Sequence, residues 1–193
     1  MRRLIAYACE TAGAAAAEFA LVLGVLVAPL LGLVDVGTYV FQAMQVHNAA
    51  QAAAQSARAT CSAALVDWPV SSNCSAAATN MVAAAQSTTL GTKVSIVTAT
   101  EGYYCVTSAG ALAVTAGANS GPVTFVTNNT AQTPSPALQT QTTCGSGSWA
   151  ANASPGDYVE VSASYPFTSV FGGLSIAKVF GSTITQSTWM RID

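Results

Sequence analysis

The chain holds few groups that could do chemistry: eight carboxylates, one histidine and five cysteines among 193 residues. The histidine, His47, lies in an Ala-rich run, and a lone histidine there is more often a packing or interface residue than a base. The acids from Asp35 onward are Asp35, Asp67, Glu101, Asp157, Glu160 and Asp193. No two of them have carboxylate-pair or HExxH spacing. Asp157 and Glu160, beside Gly156, offer at most a loose cation site and read better as a solvated strand edge. There is no GxSxG, Walker loop or dinucleotide fingerprint. No CxxC or Cys/His cluster has zinc spacing. The expectation is therefore no catalytic residue, no metal, no cofactor and no enzyme.

The cysteines and one carboxylate remain. Cys9 precedes a long apolar run, and Cys61, Cys74, Cys105 and Cys144 follow it. If the run crosses a membrane, the four later cysteines form an even set on the exported side. Disulfides there imply an oxidising compartment. Cys61–Cys74 with Cys105–Cys144 is the simplest pairing, although four cysteines allow three connectivities and free buried thiols are the alternative. The carboxylate is Glu18, five residues into the apolar run Ala14 to Val34. A charge inside a span costs roughly 2.5–3.5 kcal/mol, less near an end, and marks a functional group in search of a partner.

The elements that would position these groups follow from composition. The 21 residues Ala14–Val34 carry one charge, enough to cross a bilayer. Arg2 and Arg3 precede them and the next basic residue is Arg58, so the N-terminus is expected in the cytoplasm and the rest outside. The run is too long for the core of a cleaved signal peptide. From Asp35 to Thr60 there is no proline and alanine dominates, which predicts one helix from about Ala14 to Ala59. Its spaced residues are Val36, Val40, Ala43/Met44, His47, Ala50, Ala54 and Ala57. Beyond Cys61 the texture changes. A loop with Pro69 leads to a short helix over Ser75–Gln86, with Ser75 as its N-cap. Strand-like runs follow at Lys93–Thr100, Tyr103–Thr107, Ala111–Thr115, Val123–Val126, Tyr158–Ser164 and Thr183–Ile192. Asn128–Pro155 reads as a long polar loop. Trp68, Trp149 and Trp189 read as head-packing residues, with an exposed Trp149 as the one adhesive candidate. The six basic residues are too scattered for nucleic-acid binding.

A cut after Gly13, the only glycine before the span, would give a chain starting at Ala14 with Glu18 as its fifth residue. Residues 14 and 18 share a helix face one turn apart, so the new amine and the carboxylate can pair. In this respect the sequence resembles the type IV pilins: a short basic leader, a cleavage-site glycine, a Glu at the fifth mature position and a long apolar helix. It looks more closely like the TadE family of minor pilins (pseudopilins) of tight-adherence systems. The residues that carry this are Glu18-Phe19-Ala20, the apolar run, Asp35-Val36-Gly37 and the Ala-rich stretch ending at Ala57-Arg58. "YVEVSASYPF", Tyr158 to Phe167, is a weaker echo. One departure is that Gly24 stands where the family often has proline, and Pro29 comes later.

The resemblance implies an α+β fold: a leader (1–13), a long helix (14–60, span about 14–34) and an exported head (61–193) with an antiparallel sheet. It implies processing at Gly13/Ala14 by a prepilin peptidase and assembly through Glu18 and Phe19. The implied partners are the bacterial inner membrane, other pilin subunits and tight-adherence assembly proteins, and the implied destination is a Flp-type pilus or the cell surface. The competing expectation is a signal-anchored adhesin or binding domain that never polymerises.

Overall fold

The computed structural model describes residues 2–63, 69–172 and 179–193. Asp67, Trp68 and Lys178 lie outside the described residues, as do the side chains of the leader and of Ala14. Three helices are described: α1 (Arg2–Ala63), α2 (Val70–Asn73) and α3 (Ala77–Gln86). Six strands are described: β1 (Ser95–Val106), β2 (Leu112–Val114), β3 (Val123–Thr127), β4 (Thr130–Ala131), β5 (Gly156–Pro166) and β6 (Thr183–Arg191). The plan is α+β.

Contacts divide the chain into two compact units. The first comprises Met1–Phe41 and Phe167–Ser182; the second comprises Gln42–Pro166 and Thr183–Asp193. The C-terminal part of α1 thus belongs with the head, and a segment near the end of the sequence belongs with the apolar helix.

In the first unit α1 turns its apolar side chains outward. Phe19, Leu21, Val25, Leu30 and Leu33 are each at least 60% exposed. Pro29 sits inside the helix, where it removes one backbone donor. Gly32, Asp35 and Tyr39 recur at helical spacing and form the covered face, with Gly32 and Asp35 buried.

The second unit is built on a six-stranded antiparallel sheet of order β4-β3-β1-β5-β6, with β2 also pairing β1. The sequence pattern predicts two strands where β1 runs unbroken from Ser95 to Val106. The gap between the two runs, Glu101 and Gly102, is itself strand. A Cβ on Gly102 would lie 3.1 Å from Pro122 Cα, so the glycine admits a close approach. The inner face of the sheet carries Ala99, Tyr103 and Cys105 from β1, Val159, Val161 and Ala163 from β5, and Ile184 from β6. The helical complement is small. Val46, Ala49, Ala50, Ala53, Ala54 and Ala57 of α1 are all fully buried, at i, i+3, i+4 spacing. The buried stripe therefore starts at Val46. His47 is half-buried, with its Nε2 3.0 Å from Gln51 Nε2. α3 buries Ala77, Ala78, Met81 and Ala85. Its N-cap is Ala76 with no side-chain cap, so Ser75 does not have the expected role: the chain enters the helix one residue later, through a turn in which Ala77 N donates to Cys74 O.

Candidate functional site

The apolar helix is the first candidate surface. Among the described residues one helix, Ala15–Cys61, is long and apolar enough to cross a membrane, with mean hydropathy 2.5 over its best window. The apolar N-terminal part of α1 fits membrane anchoring. Glu18 and Phe19 lie on its exposed surface. The backbone is helical through Gly13 and Ala14, so both sit within α1. A shallow groove of about 640 Å³ runs along Phe19, Ala20, Leu23, Gly24, Val27, Ala28 and Leu31. Its floor is small residues four apart, which allow another helix to approach closely.

Asp35 follows the apolar run and is fully buried within the first unit. Its Oδ1 accepts a hydrogen bond from Val170 N at 2.9 Å, across 135 residues of sequence. Its Oδ2 has no hydrogen-bond partner. Thr38 Oγ1 donates to the Asp35 carbonyl at 2.8 Å. One turn on, Tyr39 meets Phe167 edge-on at 5.1 Å and stacks on Phe180 at 5.0 Å. Phe167 N donates to Ser182 O at 2.8 Å, closing the base of the segment. The sequence places Asp35 in a motif but offers no signal for this partner.

In the second unit the four later cysteines pair as Cys61–Cys74 and Cys105–Cys144, with Cα–Cα distances of 5.7 and 5.9 Å. Next to the first bridge lies a carboxylate cluster that sequence spacing missed. Glu101 on β1 is fully buried. Its Oε1 accepts from Val70 N and its Oε2 from Ser71 N, each at 2.6 Å. One carboxylate thus holds the start of α2, just before Cys74. Asp157 on β5 is also fully buried, beside Glu101; its register partner on β1 is Tyr103. Neither Asp157 carboxylate oxygen has a donor.

Burial pushes the Asp157 carboxyl up to about 9, and the nearby Glu101 charge adds to the rise. Asp157 is therefore neutral at pH 7, while Glu101 has the stronger hold on a negative charge through its two backbone donors. Burial raises Glu101 too, opposed by the hydrogen bonds from Ser71 and Val70. The pair can share one proton. The solvated edge expected of Asp157 is thus corrected. β5 lies between β1 and β6, and Asp157 points to the inner face, two and four residues before the buried Val159 and Val161. That period-two spacing was the available signal. Glu160 is on the other face, half-buried, opposite Trp189.

The adhesive candidate also moves. Trp149 is half-buried and its Nε1 donates to Gly145 O at 3.1 Å, because the Gly/Ser loop folds back on the ring. Trp189 is the open indole, 47% exposed, with Tyr104 edge-on at 5.2 Å. Among the described residues no group of three His, Cys, Asp or Glu could hold a metal ion.

No curated protein and no solved structure matches the chain. The model of the TadE-like protein family matches residues 13–55. That stretch begins at Gly13, contains Glu18 and Asp35, and ends within the buried alanine stripe of α1. Over residues 13–55, less than a quarter of its length, the chain is similar to the TadE-like protein family.

Proposed function

We propose that the protein is a minor pilin or pseudopilin. It is inserted in the bacterial inner membrane with its N-terminus in the cytoplasm and its head outside. A prepilin peptidase cuts after Gly13, which leaves 1–13 as a leader. The mature chain then joins or primes a tight-adherence pilus. The observation that carries this reading is Glu18, exposed on an apolar helix within the TadE-like stretch. Its place explains an otherwise costly charge: at position five of a cut chain it lies one turn from the new amine. Gly13 suits the cut for a second reason. Glycine is the weakest helix former after proline, so local unwinding costs least there within a run otherwise rich in alanine.

N-terminal sequencing of the protein taken from membranes or pili is the direct test. The expected first residue is Ala14, and a chain still beginning at Met1 would sink the processing step. Glu18→Ala is expected to be cut normally yet fail to assemble, so normal piliation in that variant removes the role given to Glu18. The rival reading, an anchored adhesin that never polymerises, draws on the open Trp189. It requires both Gly13 and Glu18 to be dispensable for surface attachment.

A further inference from the structure

The first unit contains one piece of chain that the pilin reading does not use, the segment Phe167–Ser182. Its sequence, "FTSVFGGLSIAKVFGS", has one cation, Lys178, and no acid. The described part exposes large apolar side chains: Val170 at 64%, Val179 at 86% and Phe180 at 52%. An open apolar set of this kind marks an interaction surface.

The segment is also held at one level of the helix. Val170 N is bound to Asp35, and Tyr39 lies between Phe167 and Phe180. The apolar run Ala14–Val34 is about 31 Å long at 1.5 Å per residue, close to the hydrocarbon thickness of about 30 Å. Asp35 and Tyr39 then fall about 2 to 8 Å beyond its end. That interval is the headgroup layer, about 5–8 Å deep on each side.

We propose that the described parts of this segment, 167–172 and 179–182, form an interfacial lipid-binding patch. The patch lies in the outer headgroup layer and puts Val170, Val179 and Phe180 against the acyl chains. The proposal rests on the reading of α1 as a membrane span. The occupant is lipid because Val170 is bound to Asp35, the residue that directly follows the exposed Leu30, Leu33 and Val34 of the apolar run. Aromatic rings with a polar tip suit this depth, and Tyr39 sits there. The arrangement also accounts for Asp35. A bare carboxylate next to acyl chains would be costly; here the segment covers it and supplies a backbone donor.

The test uses the full chain with Cys9→Ser, so that a single spin label can be placed by Val179→Cys. It is reconstituted in phosphatidylcholine vesicles with a minority of phosphatidylglycerol. Power saturation compares accessibility to oxygen with accessibility to a water-soluble nickel chelate. Leu26→Cys in the span and Thr130→Cys in the head are the references. The expected result is an oxygen-to-nickel ratio at 179 several-fold above that at 130 and approaching that at 26. If 26 reads as lipid but 179 reads as water, the inference is overturned and the anchor stands. A label at 179 shielded from both reagents, with label–label broadening, means that a second copy covers the segment and overturns it too. If 26 itself reads as water, the span reading fails and this inference falls with it. Adding Asp35→Ala is expected to raise nickel access at 179 several-fold; an unchanged value removes Asp35 as the group that fixes the segment.

Discussion

Asp35 and Glu101 are both fully buried carboxylates, one in each unit, and the two units settle them differently. Asp35 has one backbone donor and one oxygen without a partner. Glu101 has a donor on each oxygen and a second acid beside it that keeps its own proton. The first arrangement holds a segment by a single point. The second ties a strand to the turn that leads into Cys74. A surface unit whose apolar side chains face outward can tolerate an incompletely satisfied charge near its rim, whereas a packed head cannot. The difference predicts local release on one side and global loss on the other.

Glu101→Gln should have the largest effect. It replaces an anion by an amide and sets an NH₂ against one of the two backbone donors, at a cost of about 3 kcal/mol. Urea unfolding of the full chain in detergent, followed by tryptophan fluorescence, reads this directly. A change under a few tenths of a kcal/mol would mean that the clamp does not matter to the head.

The shared proton gives the next effect, and its sign is fixed. Asp157 has an ordinary value of 3.8 and holds its proton to about 9 in the fold. Unfolding therefore releases a proton between those limits. The stability contribution is complete below about 3.8 and is lost as pH rises toward about 9, at up to about 1.4 kcal/mol per pH unit. The unfolding midpoint should fall as pH is raised through this window, and Asp157→Asn should flatten that slope. A midpoint that climbs with pH in the unmodified protein would contradict a neutral Asp157.

Asp35→Ala should have the smallest effect on the whole, about 1–2 kcal/mol, and a local one. Amide exchange at Val170 should accelerate by roughly tenfold while the amides of β1 and β5 keep their protection. Equal acceleration in both units would erase the contrast drawn between them.

The first unit was the more legible in the sequence. An uninterrupted apolar and alanine-rich run leaves few alternatives to a helix, and Glu18 stands out within it because charge is rare there. What was not legible depends on distance. Asp35 meets a partner 135 residues away, and no local pattern encodes that. In the head, the strand runs were readable but their inner and outer faces were not fully used. Asp157 shares parity with Val159 and Val161, yet as a charged residue beside glycine it read as solvated. The two predicted runs leave out Glu101 and Gly102; a glycine in a strand can mark a close approach, and only the neighbour Pro122 shows that it does here. Trp149 packs as its type suggests, but the loop that closes on its ring has no periodicity from which that contact could be read.

The bridge Cys105–Cys144 has a mechanical consequence whenever the chain is pulled at its ends. It spans 39 positions of sequence and joins the β1 side of the head to the chain just before β5. A pull applied at the two chain ends passes through the sulfur bridge and bypasses the intervening polypeptide. Roughly 130 Å of contour, at about 3.4 Å per residue, is thereby withheld from extension. The polar chain between β4 and Cys144, which lies inside the bridged span, can vary in sequence, or even be nicked, without lengthening the tether.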